Sequence, residues 1–197
     1  MSQAGHDHQT GDPHNDLNAV RRRYFSERML EPRQWFDNAN RLMLALNLIE
    51  PNVQEYWRIF NNGEGSSEKT PEYDCHLIFL MLSGYVIENL CKGFLVKKLT
   101  IEERSAVEQG KYPSGLATHN SLALVRRTGL ETTEIEENLL SRIYAAVVWR
   151  GRYPVPRADE KIEPFIQIGS DVRRINQFLP KLRRHVDTQK SYQISDS

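Results

Sequence analysis

The chain has little of what would announce a function. It has only two cysteines in 197 residues, so no disulfide framework can be built from it. Lys plus Arg and Asp plus Glu both number 26, and a formal net charge of zero excludes a global pull toward nucleic acid or an anionic membrane. Any such affinity must come from a local patch. No apolar run at the N-terminus reads as a signal peptide. The most apolar segment, His76 to Val86, reads as too short to span a bilayer. No alternating strand pattern and no internal repeat is visible. A cytoplasmic protein is the expectation.

What is present fits one helical domain. Apolar residues make up 39% and charged residues 26%, with a mean hydropathy of -0.60 drawn down by polar ends. Residues 1–14 carry almost no large apolar side chain and are expected to be disordered, as are residues 190–197. His6, His8 and His14 have no helix or strand to hold them in metal-binding geometry, so no metal or cofactor is expected. The domain proper spans residues 15–189.

Helical spacing then recurs along the chain. Leu17 to Leu30 reads as a basic helix, and Pro32 suits the first turn of the next. There Trp35, Leu42, Leu46 and Ile49 share a face, and Val53, Tyr56, Trp57 and Phe60 continue it beyond Pro51, which is expected to kink or restart the helix. After a Gly/Ser loop, Tyr73 to Leu99 is apolar nearly all round through Leu77, Ile78, Met81, Tyr85, Leu90, Phe94 and Leu95, as a central helix would be. Cys75 and Cys91 lie on it roughly 24 Å apart, beyond disulfide reach, and read as buried thiols of a reducing compartment.

A short acidic helix follows from Thr100 to Gln109, and the next one, capped by Thr118 or Asn120, ends at Gly129. Leu139, Leu140, Ile143, Val147 and Val148 make a further buried stripe, ended by Pro154 and Pro156. A linker, Arg157 to Ile168, leads to a last helix that starts at Ser170-Asp171 and carries Val172, Ile175, Phe178, Leu179 and Leu182; Pro180 is expected to kink it or end it early. Helices of this length with short connections predict an all-α, antiparallel up-and-down bundle.

Three groups of residues point to chemistry. Glu88 and Lys92 are four apart on the central helix, where shielding would raise an ion pair above the few tenths of a kcal/mol of a surface pair. His119-Asn-Ser-Leu122 opens a helix, and Arg152-Tyr153-Pro154 closes one. In this order, from Gly84-Tyr85-Val-Ile-Glu88-Asn-Leu-Cys-Lys92-Gly93 onward, and with Tyr144 before the last group, they resemble the HEPN family of small helical bundles. The resemblance covers roughly residues 73–155. It implies a domain that binds a nucleotide or RNA, often beside a nucleotidyltransferase partner protein in toxin–antitoxin or defence systems. Many members are metal-independent ribonucleases that dimerise and use an Arg, four to six residues and a His. None of His76, His119 and His185 has an Arg at that spacing; the positions before His119 are Tyr112, Pro113 and Ser114.

The resulting expectation is a polar patch of His119, Arg150, Arg152 and Tyr153, with Glu88 and Lys92 near it, that binds a nucleotide, RNA or a partner protein. Arg forks a phosphate, Tyr stacks on a base and His donates to phosphate. Three alternatives stand beside it. Arg152 could pin the helix end by pairing with Glu88. His119 with Arg150 or Arg152 could form a ribonuclease site across space. The chain could be a module that homodimerises through Trp35, Trp57 and the Trp149 region. No membrane association is expected.

Overall fold

The computed structural model describes residues 13–62, 75–152 and 168–188. These form seven α-helices: α1 (Pro13–Leu30), α2 (Pro32–Asn61), α3 (His76–Val96), α4 (Ile101–Glu108), α5 (Ser121–Thr128), α6 (Glu134–Ala145) and α7 (Asp171–Thr188). No strand occurs among the described residues, so the all-α class stands. Residues 1–12 and 189–197, with the side chain of His14, lie outside them, as does almost all of the expected linker.

The helix ends are set by local chemistry. Glu31 accepts a hydrogen bond from the Arg33 N–H (3.0 Å) ahead of Pro32. Thr100 with Glu103, and Thr133 with Glu136, form reciprocal capping boxes on α4 and α6. Asn120 rather than Thr118 caps α5, through its oxygen and the Ala123 N–H (2.9 Å). Gly129 closes α5 at φ 82°, a left-handed turn that suits glycine.

Four helices form the bundle. Trp35 and Phe36 of α2 lie against Gly93 of α3, while Trp57, far along α2, donates its indole N–H to His76 (3.1 Å) at the start of α3; the two helices therefore run antiparallel. Ile143 and Val147 cross α3 at Gly84, where only a glycine leaves room. Arg142 pairs with Asp171 and Lys181 with Glu136, setting α7 antiparallel to α6, and Asn176 and Arg183 reach back to Glu50 and Asn40 of α2. The result is an up-down-up-down ring of α2, α3, α6 and α7, with α5 lying along α3 and α1 packed on α4.

α3 is the hub. It is buried continuously from Val86 to Val96, including Ile87, Leu90, Cys91 and Phe94. The apolar stretch therefore does not stop at Val86. By length and composition this helix could cross a membrane, but 67% of its apolar window is covered by the other helices, as in a core helix. Its last carbonyls, at Val96 and Lys97, accept from the Arg104 guanidinium (3.0 and 3.3 Å).

Several expectations need correction. Pro51 and Pro180 both lie at exposed positions inside continuous helices, α2 and α7, so neither ends or restarts its helix. Phe60 and Ile78, expected on buried stripes, are exposed. Val148 is 38% exposed because α6 continues as a π-helical turn, Ala146–Arg150, whose extra residue per turn rotates it outward. Cys75 is only half-buried, as the residue preceding α3. Trp35, Trp57 and Trp149 are half-buried; Trp35 donates to the Met29 carbonyl and Trp57 to His76.

Candidate functional site

The spacing of Glu88 and Lys92 puts both on one face of α3, where Trp35 of α2 and Tyr112 and His119 of the α4–α5 connection lie against them. Glu88 is 8% and Lys92 4% exposed. The Lys92 ammonium donates to Glu88 Oε1 at 2.7 Å. It also sits 5.9 Å from the centroid of the Trp35 ring and 5.7 Å from that of Tyr112, so two aromatic faces share the cation. This is a desolvated ion pair, and neither member tolerates loss of the other.

The second carboxylate oxygen faces His119. Its Oε2 lies 2.8 Å from His119 Nδ1. A carboxylate paired with a lysine has no proton to give, so the geometry assigns the proton to Nδ1 and leaves Nε2 as the outward nitrogen. His119 is held in place because Asn120, the next residue, is fixed as the cap of α5. The imidazole side chain is 55% exposed. The arrangement is thus a buried cation, a buried carboxylate and a surface imidazole in line, with a single tautomer presented to solvent. Such a group accepts a proton through Nε2 or, once protonated, donates to an anionic oxygen. Tyr112, 40% exposed, flanks the cluster.

Neighbouring groups stiffen it. Asn89 donates to the Tyr85 carbonyl (2.7 Å) and accepts from Asn38 of α2 (3.0 Å). The Cys91 thiol, buried and close to the Glu88 charge, is pushed well above the ordinary thiol range, first by burial and then by that charge, so it stays protonated and inert.

The arginines of the expected patch lie elsewhere. Gly151 packs against Met81 and the Leu77 carbonyl, which puts Arg150 and Arg152 at the first half of α3. Glu88 is seven residues beyond Met81, about 10 Å along the axis. Arg150 lies over the Trp149 ring at 4.2 Å, and Arg152 donates to the Val148 carbonyl at 2.8 Å. Arg152 does not pair with Glu88, whose two oxygens face Lys92 and His119. Tyr153 and Pro154 fall outside the described residues, and Tyr144 is exposed at 38%. Of the six expected residues, one chain brings together Glu88, Lys92 and His119.

Sequence reasoning missed Tyr112 and Trp35 as walls of the lysine. The signal was slight: Tyr112 stands before a proline in the loop that leads to His119, and Trp35 looked like one more apolar position. Among the described residues, no three His, Cys, Asp or Glu side chains group as metal ligands would. Set against protein-family models, curated proteins and solved structures, the chain finds no match.

Proposed function

We propose that this chain is a HEPN-like domain that takes a nucleotide or an RNA phosphate at the Glu88–Lys92–His119 cluster. The observation that supports this most is the buried carboxylate shared between Lys92 and His119. Burying a lysine and a glutamate costs several kcal/mol of desolvation, more than a packing role requires, since apolar residues of similar volume would fill the same space. What the pair adds is a rigid support for one surface imidazole. His119, once protonated at Nε2, then donates to a phosphate oxygen while Tyr112 offers an aromatic edge to a base. The resemblance adds a homodimer as the working form, a nucleotidyltransferase as partner protein, and a cytoplasmic toxin–antitoxin or defence setting.

The test is a titration of protein carrying nitrogen-15 histidine with adenosine 5′-monophosphate and with a short RNA. The Nε2 resonance of His119 should move along a saturable curve with at least one of them, and His119→Ala should abolish binding by calorimetry. Unmoved His119 resonances at millimolar concentrations of both ligands would remove the proposal.

A second reading, a metal-independent ribonuclease, is favoured by the fixed tautomer, which leaves Nε2 ready to act as a general base. Arg150 and Arg152 lie too far along α3 to assist within one chain. An arginine would have to come from a second copy, so this reading requires activity that falls on dilution.

A further inference from the structure

We infer that the outward ridge of α7, with the clefts on either side of it, is a binding surface for a single-stranded polynucleotide. The inference goes beyond the histidine site, because no residue of the ridge belongs to the Glu88–Lys92–His119 cluster.

The ridge is dense in cations. On α1 and α2, Arg23 faces Glu27, Arg33 faces Asp37 and Arg58 faces Glu55 three or four residues away on the same helix, the ordinary pattern of a solvated face, while Arg22 and Arg28 bond the Asn18 carbonyl and Gln34. Between Asp171 and Asp187, α7 carries Arg173, Arg174, Lys181, Arg183 and Arg184 and no acidic residue. Asp171 is fully buried against Arg142 and also pairs with Arg174, while Lys181 pairs with Glu136 and Arg183 with Asp187. Arg173 and Arg184 are exposed and make no ion pair among the described residues. They are eleven residues apart, about 16 Å along the helix. In a chain of zero net charge this is a local positive strip.

The clefts supply the second observation. One, of about 450 Å³, lies between α2 and α7 and sets Arg173 beside Gln54, Asn61, Gln177 and the indole of Trp57. The other, of about 350 Å³, lies between α6 and α7 and holds Arg184 beside Lys181, which is paired there with Glu136. Gln177 borders both. Guanidinium groups fork phosphates and amides bond base edges. An acidic protein would need the cations alone; the amides beside them favour nucleotides. RNA and single-stranded DNA share this chemistry.

The test measures fluorescence anisotropy of labelled RNA and DNA of about 20 nucleotides with the full chain, between roughly 50 and 200 mM salt. Arg173→Glu/Arg184→Glu should weaken binding at least about tenfold at low salt. It should also flatten the log–log salt slope by about 1.4, two phosphate contacts on a single strand. Arg173→Gln/Arg184→Gln, milder for folding, should give the same change in slope, and unchanged melting temperatures exclude unfolding. Binding of either polymer with these losses supports the ridge. No binding to either at low salt, or affinity and slope unchanged in both variants, overturns it. His119→Ala runs alongside: loss in the arginine variants alone keeps the ridge and discards the histidine site, and loss in His119→Ala alone does the reverse.

Discussion

Replacing Lys92 by methionine isolates the energetics of the cluster. Methionine approximates the volume and flexibility of the lysine stem, so packing against Trp35 and Tyr112 is largely kept and the perturbation is the ammonium itself. Glu88 would remain 8% exposed with one oxygen that has lost its cation, while the other keeps His119. Removing one partner from a buried pair costs about 3–5 kcal/mol, because the remaining charge is uncompensated. In a domain of this size each kcal/mol moves Tm by about 2–4 °C, which places the loss between roughly 6 and 20 °C. The assay is urea denaturation of wild type, Lys92→Met, Glu88→Gln and the double variant. The midpoint should fall with unchanged slope, and the double variant should recover about 2 kcal/mol or more over the sum of the singles, since both charges are then gone. His119→Ala, which removes a largely exposed side chain, should cost about 1 kcal/mol or less. A Lys92→Met variant within about 1 kcal/mol of wild type would refute the reasoning, for it would mean that water screens the pair.

Asp171→Ala should be comparably damaging, about 3–5 kcal/mol by urea midpoint, because it leaves Arg142 half-buried without the carboxylate it holds at 2.7 and 2.8 Å. The Glu136 carboxyl is pulled in two directions: burial raises its pKa, while hydrogen bonds from Lys181 and the Thr133 cap lower it, and the net shift is downward. A depressed carboxyl stabilises the fold above its unfolded value of 4.5, and that stability is lost as pH falls through the lower folded value. Lys181→Met should therefore flatten the loss of Tm as pH falls below 4.5 and act least once the carboxyl is protonated in the folded state. In native protein, one thiol of the two should react readily with a disulfide reagent. That thiol is Cys75; Cys91, buried and protonated, should react only at the rate of unfolding.

Sequence periodicity captured what depends on nearest turns of helix. The Val172-Ile175-Phe178-Leu179-Leu182 stripe and the Gly129 stop stand as read, as do four of the five stripe positions of α6 (Leu139, Leu140, Ile143 and Val147, with Val148 exposed) and one of the two cap candidates, Asn120. The Glu88–Lys92 pair was legible for the same reason, its spacing of four. His119 joins it across 31 residues, and only the order of the chain hinted at that. Reading failed where a local rule meets tertiary context. Pro51 and Pro180 do not restart or end their helices: both stand at exposed positions, and α2 and α7 run through them. Arg150 and Arg152 looked level with His119 because a helical hairpin brings ends together. The π-helical turn and the crossing at Gly84 set them two turns along α3 instead, and neither feature has a sequence signature.

The central claim is that function centres on His119 and its buried support, and not on the Arg152 end of α6. The most direct measurement is RNA binding by wild type, His119→Ala and Arg152→Ala in chelator, with cleavage read from the same samples. The account predicts that His119→Ala loses binding, and any cleavage, at an unchanged melting temperature, while Arg152→Ala binds RNA as wild type does. Full binding by His119→Ala, with the loss falling on Arg152→Ala, would contradict it and move the site to the other half of α3.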